Sequence, residues 1–169
     1  MQAMLLGRFQ PFHYGHTKVV DWAYDRYESI IILIGSPRES YTYENPFTGG
    51  ERYLMIQNTL RDMGYANFAI VPIPDIHRYG VYASHVADIT PPFDVVLTNK
   101  DLIKLIFEKE GYMVESPPLF NRDTLSGTEV RHRIATNGDW QSLVPDTVAS
   151  VIDDVDGVQR LHKLYEIKD

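Results

Sequence analysis

The stretch from Gly7 to His16 constrains the fold most, because an apolar strand should end and an amphipathic helix should begin there. Residues 4–6 are apolar enough for a short buried strand, and after Gly15 the apolar residues recur at helical spacing. Gly7 and Gly15 allow backbone amides to approach a ligand closely. The first turn of a helix adds unpaired N–H groups and a partial positive charge. The stretch is therefore typical of an anion-binding turn, and phosphate is the expected anion.

Two histidines of this stretch are candidate ligands of the anion. His13 and His16 are three residues apart, so a helix that starts near His13 places them on one face, directed at the same anion. Histidines near a helix start are also often only capping or packing residues. Taken alone, the pair leaves both interpretations open.

The rest of the chain alternates between strand-like and helix-like segments. Further strands are predicted at residues 30–34, 68–71, 94–97 and 112–114. Helices are predicted from Thr48 to Gly64, at residues 82–89, from Asn99 as a cap to Gly111, and at residues 126–137, 145–154 and 158–165. This order predicts an α/β fold: an open, parallel, Rossmann-like sheet with helices on both faces and a helical C-terminal part. Ligands bind such sheets at the carboxyl ends of the strands.

Length and composition limit what such a chain can be. The 169 residues are 44% hydrophobic, which suits one domain, with an α/β core at 1–125 and a helical segment at 126–169. Lys and Arg number 16 against 23 Asp and Glu, so the net charge of -7 disfavours binding of polymeric nucleic acid. The basic residues nevertheless gather around the early loops and around Arg131, which indicates a small anionic ligand.

Several classes of protein are disfavoured by what the sequence lacks. It has no cysteine, which excludes disulfides, thiolate metal sites and a cysteine nucleophile. No apolar run approaches the ~18 residues of a membrane span, and no secretion signal is visible, so we expect a cytoplasmic protein.

A second candidate phosphate site lies at the start of a later helix. Ser126, Gly127 and Thr128 are followed by Arg131, and Ser126 has capping-box spacing to Glu129, as Thr48 has to Glu51. Capping boxes are common, so this element alone is more typical of helix structure than of function.

Together the two elements resemble a known family. Gly7, Phe9, Pro11, His13, Gly15 and His16 match the G-x-F-x-P-x-H-x-G-H signature of the nucleotidyltransferase superfamily, and residues 125–131 resemble its I-S-S-T-x-x-R element. Residues 7–13, 45–52, 90–94 and 117–123 are similar to the archaeal type of nicotinamide-nucleotide adenylyltransferases. The resemblance covers nearly the whole chain.

The resemblance implies a reaction and a set of residues. Enzymes of this family join NMN to ATP and form NAD and pyrophosphate. The catalytic residues it implies are His13, His16 and Arg131. The residues it implies for ATP phosphates are Gly7, Arg8, Phe9, Gly15, Lys18, Ser126, Gly127 and Thr128. Mg²⁺ is expected to arrive with ATP, since no dedicated carboxylate cage is visible, and the family commonly forms homo-oligomers, specifically hexamers.

The sequence determines the residues that would bind NMN less clearly than those that would bind ATP. The positions that the resemblance implies for NMN are Asp75, Ile76, Tyr82, Phe120 and Arg122. Tyr82 stands where related chains often have tryptophan and could be a core aromatic, Asp75 could be a turn residue, and Phe120 could be a loop anchor. Some members have an arginine at the position of Glu44, so Arg38, Arg52 or Arg122 must be considered for the NMN phosphate.

Two alternatives remain. The acceptor could be another phosphorylated molecule, such as phosphopantetheine, FMN or glycerol phosphate. The chain could also be a nucleotide-sensing module without turnover, although such a module has no need of the donors at His13, His16 and Arg131.

Overall fold

The five strands of this computed structural model, which describes residues 1–168, form one parallel sheet. The strands are β1 (Gln2–Gly7), β2 (Ser29–Gly35), β3 (Phe68–Ile73), β4 (Val95–Leu97) and β5 (Met113–Glu115). Their order across the sheet is β3-β2-β1-β4-β5, and every neighbouring pair is parallel. The predicted open parallel sheet is confirmed. Residue 169, the predicted end of the domain, lies outside the described residues.

The strands are covered on both faces, which explains their continuous apolar sequences. Residues 30–34 of β2 are all fully buried. Along β1 the side chains alternate, so that Ala3 and Leu5 join one hydrophobic core whereas Met4 joins the core on the other face. Helices are therefore needed on both faces of the sheet.

The described residues contain seven α-helices and two short 3₁₀ segments. The α-helices are α1 (Tyr14–Tyr24), α2 (Gly49–Asp62), α3 (Tyr82–Ile89), α4 (Asp101–Lys109), α5 (Gly127–Ala135), α6 (Asp146–Asp154) and α7 (Gly157–Glu166). The 3₁₀ segments are Tyr79–Val81 and Gln141–Leu143. Helices α3 and α4 pack on one face, whereas α1, α2, α5, α6 and α7 share the core on the other. None of these helices is both long and apolar enough to cross a bilayer.

Of the three predicted helix caps, the one at the start of α2 is confirmed, whereas those of α4 and α5 differ from the prediction. The capping box of Thr48 and Glu51 is complete. Ser126 accepts a hydrogen bond from the Glu129 N–H at 3.1 Å, but the Glu129 carboxylate pairs with Arg133 at 2.7 Å instead of returning to the cap, so the second box is half formed. The prediction that Asn99 caps α4 was wrong.

Asn99 serves a different purpose at the end of β4. Its side-chain amide donates to the Pro117 carbonyl at 2.9 Å, because the loops after β4 and β5 lie side by side. The backbone N–H of Lys100 instead finds the Thr98 hydroxyl at 3.1 Å, and α4 begins after Lys100. This arrangement fixes the backbone at the carboxyl end of β4.

The strand order positions the site. The chain runs outward from β1 to β2 and β3, then returns to the other side of β1 for β4 and β5. The direction of winding thus changes between β1 and β4. A crevice opens at such a switch point at the carboxyl ends of the strands, and ligands of open α/β sheets bind there.

Candidate active site

A cavity of about 340 Å³ lies at the β1/β4 switch point, which is the size of a small-ligand site. Its walls are the ends of β1 and β4, the loops that follow β1, β4 and β5, and the start of α5. The sequence-predicted residues that line it are Gly7, Arg8, Phe9, His13, Gly15, His16, Phe120, Arg122, Ser126, Gly127, Thr128 and Arg131. Those that do not are Lys18, Asp75, Ile76 and Tyr82. We call this cavity the switch-point cavity.

The two histidines cap α1 and line the cavity at the same time. His13 is the N-cap, and its Nδ1 accepts a hydrogen bond from the Gly15 N–H at 3.0 Å. The His16 Nδ1 accepts in turn from the His13 N–H at 3.2 Å, and the two rings stack with centroids 3.7 Å apart. A Cβ at residue 15 would lie 2.8 Å from the His13 ring, so only glycine fits there. The capping interpretation therefore holds, and the capping hydrogen bonds fix both rings at the wall of the cavity.

These hydrogen bonds also assign the protonation of both rings. Burial, followed by the charge of Arg131, lowers the pKa of His13 to about 4, and burial followed by His13 lowers the pKa of His16. Both rings are therefore neutral near pH 7. Because each Nδ1 accepts from a backbone N–H, the remaining proton of each ring is on Nε2. Each histidine keeps one N–H donor for a ligand.

Arg131 enters the cavity from α5 and retains free donors. Its Nη1 donates to the Gln10 carbonyl at 2.8 Å and its Nη2 to the Thr128 hydroxyl at 3.4 Å. Within residues 1–168 its buried Nε has no partner, so two of its five N–H donors are satisfied by protein. A Cβ at residue 127 would lie 2.9 Å from Nη1, which explains the glycine there.

Arg52 shows the opposite arrangement. It is fully buried, and its guanidinium donates to five main-chain carbonyls. The acceptors are the carbonyls of Arg8, Gly35, Ser36, Glu39 and Thr48. All five donors of this guanidinium are used, so Arg52 has none for the phosphate of NMN. Its role is to hold the loop after β2 against the turn after β1.

Gln10 is a buried polar residue that sequence reasoning missed. Its Nε2 donates to the Phe47 carbonyl at 2.9 Å and its Oε1 accepts from the Phe47 N–H at 3.0 Å. Its own carbonyl accepts from Arg131. Gln10 therefore connects the loop before α2 with the arginine of α5. A polar amide among Phe9, Pro11 and Phe12 was the available signal.

Four cationic side chains line the cavity: Arg8, Lys100, Arg122 and Arg131. None of the ion pairs found within residues 1–168 involves any of them, and no Asp or Glu of that range lines the cavity. Burial, followed by the charges of Arg8 and Arg122, lowers the pKa of Lys100. On a chain with a net charge of -7, such uncompensated positive charge fits an anionic ligand. Lys100 was not predicted from the sequence, because its approach to Arg8 depends on the pairing of β1 with β4.

The cavity does not present ligands for a metal ion of its own. The described part of the chain contains no cluster of three His, Asp or Glu residues that could hold one. A cationic lining repels a bare divalent ion.

The residues expected to bind NMN lie in two separate places. Asp75, Ile76 and Tyr82 follow β3 at one edge of the sheet, whereas Phe120 and Arg122 follow β5 at the other edge and line the cavity. The residues from 75 to 82, which we call the 75–82 segment, thus lie outside the cavity wall.

Tyr82 combines features of a core residue and of a surface residue. It is half-buried, and its ring meets Phe107 edge-on at 6.3 Å in the core beneath α3 and α4. Burial, followed by the charges of Asp75 and Tyr79, raises the pKa of Tyr82 to about 12. Asp75 is exposed, and its charge contributes to the raised pKa of Tyr82.

Comparisons with known proteins identify relatives of the chain. Residues 4–133 match the model of the cytidylyltransferase-like family. The chain is 47% identical to the nicotinamide-nucleotide adenylyltransferase of Methanolobus tindarius over 95% of its own length and 92% of that protein. It is 43% identical to the enzyme of the same name from Methanococcus aeolicus over 97% and 95% of the two chains.

A solved structure has the same fold. The bifunctional NMN adenylyltransferase/ADP ribose pyrophosphatase of Francisella tularensis, crystallised with AMP and a Mn ion, superposes with a TM-score of 0.77 at 20% identity. The match covers 96% of this chain and 51% of that one, so the chain spans about half of that protein. The predicted α/β fold with helices on both faces is thereby confirmed.

Proposed function

The chain belongs to the nicotinamide-nucleotide adenylyltransferases, within the cytidylyltransferase-like family, and we infer that it transfers AMP from ATP to NMN, forming NAD and pyrophosphate. The observation that carries this proposal is the switch-point cavity itself. Two neutral histidine donors and four unpaired cations surround it, and no carboxylate within residues 1–168 lines it. That lining suits a polyphosphate whose negative charge increases at one end.

The reaction is direct in-line transfer. A phosphate oxygen of NMN attacks the α-phosphorus of ATP and forms the new P–O bond. The bond from that phosphorus to the bridging oxygen breaks, and its electron pair leaves with pyrophosphate. Such a reaction needs positioning and charge stabilisation more than covalent help.

The histidines and Arg131 would stabilise the leaving group. The Nε2–H donors of His13 and His16 are held by their caps, so no reorganisation is needed as charge moves onto the leaving oxygen. Arg131 would hold the terminal phosphates with the donors that the protein leaves unsatisfied.

The remaining phosphate contacts come from backbone and small side chains. Gly7 ends β1, Phe9 lies in the turn after it, and Gly15 lies in the first turn of α1. Ser126, Gly127 and Thr128 start α5, so two helix starts face one cavity. Arg8 adds charge, although its Nη1 donates to the Asn45 side chain at 3.2 Å. Lys18 is exposed outside the cavity, and the geometry supports it least as a phosphate ligand.

The acceptor half would extend toward the 75–82 segment. A dinucleotide crosses the crevice at the switch point, with one nucleotide on each side. If Asp75 and Ile76 receive the carboxamide and Tyr82 stacks on the ring, the nicotinamide lies on the β3 side. The resemblance implies NMN binding for Phe120 and Arg122 as well, but they follow β5, on the side of β1 away from this segment, so we propose that they face ATP instead.

Several finer statements belong to the same proposal. Mg²⁺ arrives with ATP, because the residues of the cavity present no oxygen cage. The chain acts in the cytoplasm as a homo-oligomer, a hexamer in accord with the resemblance. Residues 1–169 form one domain, which is supported by the core that α5, α6 and α7 share with the sheet.

Pyrophosphate release from ATP and Mg²⁺ tests the function, with NMN, nicotinic acid mononucleotide, FMN, phosphopantetheine and glycerol phosphate in parallel. We expect pyrophosphate release with NMN, and NAD as the product. Release with only another acceptor would keep the transfer mechanism and overturn the roles of Asp75 and Tyr82. No release with any acceptor would instead support a nucleotide-sensing module.

A further inference from the structure

The sequence analysis gave no role to Lys100, which lies at the carboxyl end of β4. We propose that it binds the part of the ATP polyphosphate that leaves as pyrophosphate. The proposal rests on the adenylyl transfer inferred above and names a contact on the leaving-group side. It is carried by the position of Lys100 in the cavity wall, by its charged neighbours and by the order of the strands.

The backbone of Lys100 is held firmly. Its N–H donates to the Thr98 hydroxyl at 3.1 Å, and the neighbouring Asn99 is joined to the Pro117 carbonyl at 2.9 Å. These bonds connect the loops after β4 and β5. The lysine side chain therefore starts from a backbone turn that hydrogen bonds fix at the cavity wall.

The charges around Lys100 indicate an anion. Its neighbour Asp101 pairs with Lys104 at 3.9 Å, and no ion pair found in residues 1–168 includes Lys100. Arg8 and Arg122 line the same cavity and act on Lys100 through their charges. Three cations in one wall repel each other, which is unfavourable unless an anion compensates them. A polyphosphate provides several negative oxygens to compensate them.

The order of the strands favours the leaving group over the acceptor. In an in-line transfer, the attacking and leaving oxygens lie on opposite sides of the phosphorus. The histidines after β1 mark the reacting phosphorus, and the 75–82 segment after β3 marks the acceptor side. Lys100 follows β4, on the other side of β1. On the ATP side, the part that attracts a lysine ammonium is the anionic polyphosphate and not the neutral adenosine, which assigns Lys100 to the end that leaves as pyrophosphate.

The test uses three variants of the full chain. Lys100→Met removes the charge and keeps the stem, Lys100→Arg keeps the charge, and Lys109→Met is the control. Lys109 is exposed at the far end of α4 and does not line the cavity. The measurements are KM for ATP and NMN in the forward direction, and for pyrophosphate and NAD in the reverse direction.

Lys100→Met should raise KM for ATP and for pyrophosphate about tenfold, the value of one charged hydrogen bond, and leave KM for NMN and NAD within about twofold. Lys100→Arg should recover most of the loss, and Lys109→Met should match the wild type. A rise in KM for NMN instead would assign Lys100 to the acceptor phosphate and overturn the proposal, as would unchanged constants.

Binding of pyrophosphate alone, measured by calorimetry, separates this proposal from the proposed function. Weaker binding by Lys100→Met would support the contact even if NMN proved not to be the acceptor. Equal binding by wild type and variant would overturn it even if NAD is formed. Should Lys100→Met fold poorly, Lys100→Gln gives the same comparison.

Discussion

The switch-point cavity and the 75–82 segment are built in different ways, although both lie at the carboxyl ends of the same sheet. In the cavity, His13, His16 and Arg131 are held by hydrogen bonds to backbone or neighbouring side chains. In the 75–82 segment, Asp75 is exposed, and the 3₁₀ segment that precedes Tyr82 has no side-chain cap.

Under the proposed function, this difference would separate the residues that promote the transfer from the residues that select the acceptor. Groups that stabilise a leaving pyrophosphate must be oriented before the reaction, because reorientation during the reaction would cost free energy. Groups that recognise an acceptor can be ordered by the acceptor itself. The following predictions test that division, from the largest expected effect to the smallest.

His16→Ala removes one preorganised donor of the cavity. It should lower kcat by about 10²–10³-fold and change KM for ATP little, because the contact strengthens mainly in the transition state. Steady-state kinetics with ATP and NMN measure this effect. His132→Ala, an exposed histidine of α5, is the control and should match the wild type. Unchanged turnover of His16→Ala would end the assigned role.

The acid stability of the fold should depend on the histidine caps. Because the pKa of His13 is about 4 in the folded chain against an ordinary 6.5, the unfolded chain binds more protons between these values. The stabilisation is complete above pH 6.5 and is lost as the pH falls through 4, by about 3 kcal/mol for this shift. Urea unfolding of wild type and His13→Asn, which keeps a capping side chain, measures it.

The quantity to compare is the dependence of the unfolding free energy on pH in the wild type and in His13→Asn. His13→Asn should lose less of its unfolding free energy than the wild type between pH 7 and pH 4. Parallel curves would mean that His13 titrates at an ordinary pKa in the folded chain. Its neutral state, and the Nε2 donor assigned from it, would then be wrong.

Gln10→Ala tests whether the cavity depends on the loop before α2. The change leaves the Phe47 N–H and carbonyl without partners in a buried place, which should destabilise the fold by about 2 kcal/mol. Because the Gln10 carbonyl remains, Arg131 keeps its acceptor. Chemical denaturation measures the loss, and Gln159→Ala, at an exposed position of α7, should show almost none. Equal stabilities would show that other contacts, such as that of Arg160 with the Pro46 carbonyl at 3.0 Å, hold the loop without Gln10.

Tyr82 tests the other side of the comparison. Tyr82→Ala should raise KM for NMN about tenfold, the value of one stacked aromatic ring, and leave KM for ATP unchanged. Tyr82→Trp should lower KM for NMN, since the larger ring stacks over more area. Equal effects of Tyr82→Ala on both substrates would assign Tyr82 to the core with Phe107.

The sequence predicted the parts of the site that depend on neighbouring residues. The turn after β1 was predicted as an anion site from its glycines and the change of periodicity, and the start of α5 was added only by the resemblance; the structure places both in one cavity. The sequence did not predict Gln10 or Lys100 as site residues. Phe47, which Gln10 binds, and Arg8, which lines the cavity with Lys100, are both distant from them in the chain. Asn99 was assigned to a helix cap for the same reason, since its actual partner lies on another loop.

Local chemistry, together with the resemblance, thus determined the fold class, the proposed reaction and the groups proposed to face the phosphates. Each of these is written in residues a few positions apart, where backbone geometry fixes the spacing. The tertiary structure alone decided three further points. It showed that all donors of Arg52 are hydrogen-bonded to five backbone carbonyls, whereas Arg131 keeps unsatisfied donors. It also showed that Lys100 lines the cavity with the three arginines. It also placed Asp75 and Arg122 at opposite edges of the sheet. These points depend on which strands pair, and strand pairing is a long-range property that no local pattern encodes.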